Sequence, residues 1–356
     1  MRVLTRDFPG AASSTFLLAT HVAALLVAGC SSKAATPGGT GGHAAGSGGS
    51  GGSGASGATG GMGGTSGGGY KACAESERIG RFTLELKLPA GDSPGISQIT
   101  GRVLDGIDPR SVWQELASAE GCQVIIGPTS TCAVACPSGM VCRAGTCAPE
   151  PASHGVGTVN VTGLAIPVTM MPLTNKSYYG PIPSGTSFPP FTPGLPIGLQ
   201  AAGGDYAPFT LTATGIDLLD VPADQPLMLV TKTPNPPLTV RWSAPTRAGS
   251  TRMELLMDIA HHGGVAAKLA CDLPDTGSGT IPGGLLDTLV GRGTAGFPEI
   301  TLTRQSVDST TITPGCVEFG VTLSVAVPLM VDGVISCSDD TQCPATAPTC
   351  SGQKCI

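Results

Sequence analysis

The residues best placed to do chemistry in this chain are its 13 cysteines. Clustered thiols can pair as disulfides or bind zinc as thiolates. Eight of them fall in two blocks of similar spacing, Cys132-x3-Cys136-Pro-x4-Cys142-x4-Cys147 and Cys337-x5-Cys343-Pro-x5-Cys350-x4-Cys355. Neither block contains the C-x2-C knuckle that is typical of structural zinc sites. We therefore expect disulfides here, with no metal and no cofactor.

One further cysteine, Cys30, follows an apolar stretch near the start of the chain. Arg2 and Arg6 form a short basic region, the apolar residues run from about 11 to 27, and small residues close the stretch. This is the layout of a secretory signal peptide. The segment Val27-Ala28-Gly29-Cys30 resembles the lipobox of bacterial lipoproteins. An uncleaved membrane anchor, or an ordinary signal peptide with a chance cysteine, is the alternative.

The lipobox resemblance implies a covalent lipid anchor. In that family the cysteine thiol is joined to diacylglycerol, the preceding signal peptide (here residues 1–29) is removed, and the new amino terminus is acylated. Two or more acyl chains hold a protein stably on a membrane, whereas one holds it only marginally. The position after Cys30 is Ser31 rather than Asp, and in this it resembles lipoproteins that are sorted to the outer membrane. The resemblance thus implies lipidation of Cys30 and an outer-membrane protein that faces the periplasm or the cell surface.

An exported protein folds in an oxidising compartment, which favours disulfides. Without Cys30, 12 of the 13 cysteines remain, an even number that is consistent with complete pairing. The spacing of the two blocks resembles Dickkopf-type and related extracellular repeats. Within each block we expect first-to-third and second-to-fourth pairing, although connectivity cannot be deduced from spacing. The remaining cysteines pair outside the blocks; they are Cys73, Cys122, Cys271 and Cys316.

Residues 34–69 consist almost wholly of Gly, Ser, Ala and Thr. Such a segment cannot bury enough apolar surface to offset the entropy cost of ordering it. It has no fixed period that would indicate a structural repeat. We therefore predict that residues 30–71 form a disordered, Gly/Ser-rich tether, with a root-mean-square reach of roughly 35 Å at ~5–6 Å × √n.

Beyond the tether, alternating apolar and polar residues predict half-buried strands with a period of two. Examples are Phe82–Leu86, Leu238–Trp242 and the longest alternation, Val317–Val327. Two short helices are expected, one after Asp108-Pro109 and one after Pro282. Many short strands separated by turn signals favour β-sandwiches over βαβ units. The predicted fold is all-β, with two β-sandwich (immunoglobulin- or prealbumin-like) domains and small disulfide-rich inserts.

The predicted domain boundaries follow changes in composition. Several prolines lie close together between residues 222 and 237, and we place the boundary between the two sandwiches there. The folded segments are then a first β-sandwich at 73–222 with a cysteine-rich insert at 122–150, a second β-sandwich at 223–335, and a C-terminal cysteine-rich module at 336–356.

Three stretches imitate catalytic or metal-binding motifs. Gly91-Asp92-Ser93-Pro94-Gly95 matches G-x-S-x-G, but Pro94 has no N–H for an oxyanion hole, so we predict a turn. Asp275-Thr276-Gly277 looks like an aspartic-protease motif, but that chemistry needs two such aspartates, so we predict a polar turn. His261-His262, with Asp258 or Asp272, suggests a metal site, but a solvated turn is the expectation. No catalytic residue is assigned.

Binding of a sugar polymer depends on exposed aromatic rings, and aromatic residues make up only 4% of the chain. Trp242 shares a face with Leu238 and Val240, so we predict that it lies in the core. Trp113 is assigned to the apolar side of the first short helix. The remaining candidates for ligand binding lie in the Pro- and Gly-rich region 178–198, which is predicted to be a loop; they are Tyr178, Tyr179, Phe188 and Phe191.

The net charge of −6 is small and scattered, which argues against nucleic acid as a partner. The whole pattern resembles outer-membrane lipoproteins of Gram-negative bacteria, a resemblance that brings no activity with it. The expected function is a lipid-anchored interaction or structural module at the cell surface, whose partners are the membrane and a surface protein or polysaccharide. The alternative is a protein that binds or hydrolyses an extracellular polymer.

Overall fold

The computed structural model describes residues 69–89, 95–107, 113–127, 132, 134–143, 145–225, 227–229, 234–261 and 267–356. All of them belong to one compact unit, Ala58–Ile356. The signal peptide, Cys30 and the tether up to residue 68 lie outside the described residues, as do Gly91–Pro94 and His262. Among the helices that are described, none combines the length and the apolar character needed to span a membrane.

The described residues are mostly β-structure. In chain order the elements are β1 (Arg78–Lys87), β2 (Ile96–Leu104), β3 (Gln114–Ala119), β4 (Cys122–Ile126), β5 (Met140–Arg143), β6 (Thr146–Pro149), β7 (Ser153–His154), β8 (Val159–Thr162), β9 (Val168–Met170), β10 (Tyr178–Pro181), β11 (Pro196–Ala201), β12 (Phe209–Thr214), β13 (Met228–Leu229), β14 (Leu238–Arg241), β15 (Arg252–Asp258), β16 (Ala267–Pro274), β17 (Ser278–Ile281), α1 (Gly283–Val290), β18 (Glu299–Thr311), β19 (Cys316–Pro328), β20 (Met330–Val331), β21 (Cys350–Ser351) and β22 (Lys354–Cys355). The predicted all-β character is confirmed.

Ten strands form one large sheet in the order β10-β2-β1-β19-β18-β15-β16-β4-β3, with β7 paired to β2. Within it β1 and β19 are parallel neighbours, while β1 and β2 are antiparallel. The sheet therefore takes strands from both sides of the predicted domain boundary near residue 222. Two separate sandwich domains are not seen, because pairing across the sheet joins the two segments edge to edge.

A second, four-stranded sheet in the order β12-β11-β8-β9 packs on one half of the large sheet. The inward residues of β1, among them Phe82 and Leu84, are fully buried, as the period-two alternation predicts. The ring of Phe82 lies 6.5 Å from that of Phe209 on β12. The edge of β12 is covered by side chains of β18: the N–H groups of Thr212 and Thr214 donate to Asp308 and Ser306.

The other half of the large sheet is covered by α1, whose Leu285, Leu286 and Leu289 are buried. A helix after Pro282 is thereby confirmed. The first predicted helix is wrong where it can be followed, since Gln114–Ala119 is strand β3. Glu120 and Gly121 both have positive φ (51° and 80°), and such a two-residue turn directs β3 back onto β4 as a hairpin.

The first described residues, 69–77, cross the outer face of the large sheet, the face opposite the four-stranded sheet and α1. We call this segment the N-terminal strap. The Lys71 N–H donates to the Val307 carbonyl on β18 (2.8 Å), and a disulfide joins Cys73 to Cys316 at the start of β19. Polar residues beneath the strap are buried, notably Glu318 at 1% and Gln305 at 7% exposure. The strap therefore fixes the entry of the chain to the centre of the sheet.

Candidate functional site

The four aromatic residues predicted to bind a ligand do not form one exposed platform. Tyr178 and Phe191 are buried at 2% and 7% exposure, and Phe188 is half-buried against the core. The Tyr178 hydroxyl accepts from the Val156 N–H (2.7 Å) and donates to the Gly157 carbonyl (3.0 Å). Only Tyr179 of this set is exposed, at 50%.

The region 178–198 is also less irregular than predicted. Tyr178–Pro181 forms β10, which pairs with β2, and strand β11 of the smaller sheet begins inside the region, at Pro196. Because Tyr178 and Tyr179 are adjacent strand residues, they point to opposite faces. One therefore fills the core while the other faces solvent.

Asp275 lies in the connection between β16 and β17, where a polar turn is predicted, but its side chain is buried in a closed network with Arg304. Both side chains are fully buried, and the Arg304 Nε lies 2.7 Å from the Asp275 carboxylate. Trp242 Nε1 and the Thr251 hydroxyl donate to the same carboxylate, at 2.8 and 2.7 Å. The guanidinium also donates to the carbonyls of residues 218 and 243. Since every carboxylate oxygen is bonded internally, this network holds the fold together and is not open to a substrate.

Trp242 lies in the core, as its strand parity predicts, with 4% exposure. The hydrogen-bond network around Trp242 is not predicted from the sequence, although the sequence contains one signal of it. Arg304 follows Ile300 and Leu302 at an inward position of the same strand, where a charge requires a buried partner.

His154, to which the sequence assigns no role, lies between two carboxylates. Its Nε2 is 3.6 Å from Asp105 and its Nδ1 is 3.4 Å from Asp205. The ring is 5.2 Å from that of Tyr206. A hydrogen bond from the Gly155 N–H, aided by charges including His154, holds the pKa of Asp205 below its usual value. Because both ring nitrogens face carboxylates, this group ties three chain segments together.

The candidate metal ligands around His261 form a second mixed cluster. His261 lies 3.7 Å from Asp258 and 3.8 Å from Glu299. Lys268 Nζ lies 3.1 Å from Asp258 and 6.0 Å from the centre of the Trp113 ring. Asp272 lies elsewhere and pairs with Arg252. The Asp258 carboxylate is thus paired with the Lys268 ammonium and accepts a hydrogen bond from the Ala260 N–H.

Trp113 is predicted to lie on a helix, but the structure places it directly before β3. There its side chain is half-buried beside Lys268. The residues that precede it, 108–112, lie outside the described chain.

Twelve cysteines form six disulfides. Within the blocks the pairs are Cys132–Cys142, Cys136–Cys147, Cys337–Cys350 and Cys343–Cys355, which is the first-to-third and second-to-fourth pattern expected. The other pairs are Cys73–Cys316 and Cys122–Cys271. Three sulfurs of each block lie close enough to suggest a metal, but each is bonded to another sulfur and is no thiolate donor.

The two cysteine blocks also repeat each other in structure. In each block the last two cysteines are directly opposite residues of a small antiparallel hairpin: Cys142 and Cys147 in β5–β6, and Cys350 and Cys355 in β21–β22. One block is an insert between strands of the large sheet and the other ends the chain. We call them the inserted and C-terminal modules.

Two of the open depressions on the described surface are notable for the residues that line them. One of about 390 Å³ lies at the entry of the strap, between Glu77, Asp105 and Pro314, and so borders the His154 cluster. The other, of about 340 Å³, lies beside the exposed side chains of Met228 and Met330 on the β13–β20 pair. Both are open to solvent, and neither contains the Arg304–Asp275 network.

Comparison with known proteins adds no family to these observations. No protein-family model matches the chain, and no curated protein matches it.

Proposed function

We propose that this chain is a lipid-anchored protein of the outer membrane that presents its folded body at the end of a tether. One observation carries the proposal: the segment Val27-Ala28-Gly29-Cys30 closes an apolar signal sequence and is followed at once by a Gly/Ser-rich stretch. In this interpretation Cys30 is the lipidated first residue of the mature protein and residues 30–68 form the tether, three residues shorter than predicted because Tyr70 and Lys71 bond to the sheet as part of the strap. The body faces the periplasm or the cell surface.

The body acts as an interaction or structural module rather than as an enzyme. Two features support this role. The described titratable clusters, around Arg304, His154 and His261, consist of groups that bind one another. In addition, six disulfides brace the body against an extracellular environment. A surface protein or a polysaccharide is the proposed partner class.

Fractionation tests the anchor. We expect the wild-type protein to sediment with outer membranes and to require detergent for release. Cys30→Ala should appear in the soluble fraction or keep its signal peptide, whereas the matched variant Ser32→Ala should behave as the wild type. A Cys30→Ala protein that is processed and sediments like the wild type would refute the proposal.

Binding of an extracellular polymer is the second candidate, and Trp113 is the observation that favours it. An indole ring can stack on a sugar, and here it lies half-buried beside Lys268, close to the charged residues Asp258, His261 and Glu299. If this group binds glycans, Trp113→Ala abolishes retention on an immobilised polysaccharide while Tyr179→Ala, the exposed ring elsewhere, does not. Equal retention of both variants would exclude this site.

A further inference from the structure

Two methionines of the β13–β20 pair are exposed side by side. The two strands are parallel, and Met228 and Met330 are direct neighbours in their register. Paired residues of adjacent strands point to the same face, and their Cα atoms lie about 4.8 Å apart. The exposed fractions of the two side chains are 52% and 55%. The two thioether groups therefore share one face that is open to solvent.

The residues that flank the two methionines hold the strand pair on the body. Leu227, Leu229 and Val331 point inward and are each at most 5% exposed. The Met330 N–H donates to the Leu227 carbonyl at 2.9 Å, which ties the two strands together. The backbone is thus fixed, while each methionine side chain keeps three rotatable bonds. Both sulfur atoms can therefore turn towards one point between them.

An acidic residue lies beside the two methionines. Asp332 follows Met330 by two positions, and its N–H donates to the Leu229 carbonyl at 2.9 Å, so the strand-like alternation continues to it. Met228, Met330 and Asp332 all line the depression of about 340 Å³. None of the described residues that line this depression is basic. The depression therefore combines two neutral sulfur donors with one carboxylate.

This set of donors fits a soft, singly charged metal ion. Thioether sulfur favours Cu(I), whereas Mg²⁺ and Ca²⁺ take oxygen ligands. Cysteine thiolates also bind soft metals, but the twelve cysteines of the body are paired in disulfides. The exposed thioethers are therefore the soft donors that the described surface offers. One carboxylate balances the charge of one monovalent cation.

The other exposed methionines of the described chain lack this arrangement. Met171 is 62% exposed, but its Sδ accepts a hydrogen bond from the Thr158 hydroxyl at 3.2 Å. Met140 is 41% exposed and is the cross-strand partner of Pro149 in β5–β6. Each of them presents a single thioether. They are therefore suitable controls for metal binding that depends only on exposure.

We propose that Met228 and Met330 form a binding site for Cu(I), with Asp332 as the third ligand. The ion binds and leaves as Cu(I), so the step transfers no electron and needs no oxidant. Binding of a metal ion goes beyond the proposed role of an interaction or structural module. The site uses only residues of the folded body, so it stands whether or not Cys30 carries a lipid.

NMR with Ag(I) as the probe tests the site. Ag(I) is a soft monovalent ion like Cu(I), and it needs no reductant that would open the disulfides. Residues 30–356 with Cys30→Ala are labelled with carbon-13 at the methionine methyl groups and titrated in a chloride-free buffer. We expect the signals of Met228 and Met330 to shift together and to saturate at one equivalent of Ag(I), while the Met171 signal stays in place.

Substitutions by leucine separate the sulfur atoms from the apolar surface, because leucine nearly conserves the volume of methionine. Met228→Leu and Met330→Leu should each lower the affinity for Ag(I) by at least about tenfold, since even second-shell changes weaken metal sites by about 10–100-fold. The matched control Met171→Leu should bind Ag(I) as the wild type does. Asp332→Asn should weaken binding, yet both methyl signals should still shift together.

Competition between metal ions tests the assignment to Cu(I). We expect Cu(I), supplied without oxygen as its acetonitrile complex, to displace Ag(I), and Zn²⁺ and Ca²⁺ to leave it in place. Methyl signals that do not move, saturation at two equivalents, or an equal shift of the Met171 signal would overturn the proposal. Displacement of Ag(I) by Zn²⁺ or Ca²⁺, or a failure of Cu(I) to displace it, would overturn the proposal as well.

Discussion

Arg304 shows how a single inward charge organises its surroundings. The Asp275 carboxylate receives four hydrogen bonds from the side chains of Arg304, Trp242 and Thr251. Burying such a pair gains little net stability, but removing one partner leaves a charge uncompensated in a dry interior. The pair therefore acts mainly as a constraint on how the β16–β17 turn sits against β18.

Asp275→Asn tests this constraint at nearly constant shape. We expect a loss of about 3–5 kcal/mol in the free energy of unfolding, because the Arg304 charge loses its counter-ion. The matched control is Asp272→Asn, in a half-exposed pair with Arg252, which should cost no more than about 1 kcal/mol. Urea denaturation of both variants gives the comparison, and equal losses would show that burial of the network has no special role.

Trp242 joins the same network from the core side. Trp242→Ala should cost about 3–5 kcal/mol, as for other buried aromatic truncations. With Trp113 replaced by Phe, the remaining Trp242 emission should be blue-shifted and resistant to acrylamide. Red-shifted emission that acrylamide quenches readily would contradict its place in the core.

Glu254 lies on the outer face of the large sheet near the strap, and its ionisation should make the free energy of unfolding depend on pH. Burial raises the pKa of Glu254, with Asp272 acting in the same direction and Arg81 opposing it. The folded state thus holds this proton more tightly than the unfolded chain, and ionising the group costs stability. The cost is absent below the unfolded pKa of about 4.3 and grows as the pH rises through the folded pKa.

Glu254→Gln removes that cost. We therefore expect the variant to be more stable than the wild type at pH 8, with a difference that disappears near pH 3.5, in urea titrations at both pH values. A variant that is less stable than the wild type at pH 8 would contradict the predicted direction.

At the scale of elements, the alternation of residues along a strand predicts which side chains are buried. It does not predict whether a short apolar segment forms a helix or a strand. Phe82, Leu84 and Trp242 are buried as the alternation predicts. Val112, Trp113 and Leu116 are spaced as on a helix face, yet Leu116 lies in β3. The deciding feature is the Glu120-Gly121 turn, whose two positive φ angles allow a tight hairpin. The periodicity of such a short apolar run does not by itself distinguish a helix from a strand.

Gly101 on β2 tests the packing of the two sheets. It is the direct cross-strand partner of Phe82, and a Cβ at Gly101 would lie 2.1 Å from the Phe82 ring. Gly101→Ala should therefore cost at least about 2 kcal/mol through overpacking. Gly284→Ala is the matched control, because a Cβ there meets nothing within 4 Å and α1 gains helix propensity of up to about 1 kcal/mol. Thermal unfolding should separate the two, and similar melting temperatures would contradict the packing.

At the scale of the whole molecule, the sequence predicts strands, disulfides and the two modules, but not the sheet that unites them. The β1–β19 pair joins residues more than 200 positions apart, and no local pattern encodes such a pairing. The Pro-rich stretch between residues 222 and 237 looks like a domain boundary, yet strands from both sides of it pair in one large sheet. For the same reason the Cys73–Cys316 disulfide, which spans 243 residues, emerges only when the non-local partners are known.

The anchor is the claim on which the account of function depends, and mass spectrometry of the mature amino terminus tests it most directly. The protein is extracted from membranes with detergent and digested, and its first peptide is sequenced. We predict that this peptide begins at Cys30, with diacylglycerol on the thiol and a fatty acid on the amino group. A mature chain that begins at any other residue, or an unmodified Cys30, would contradict the account.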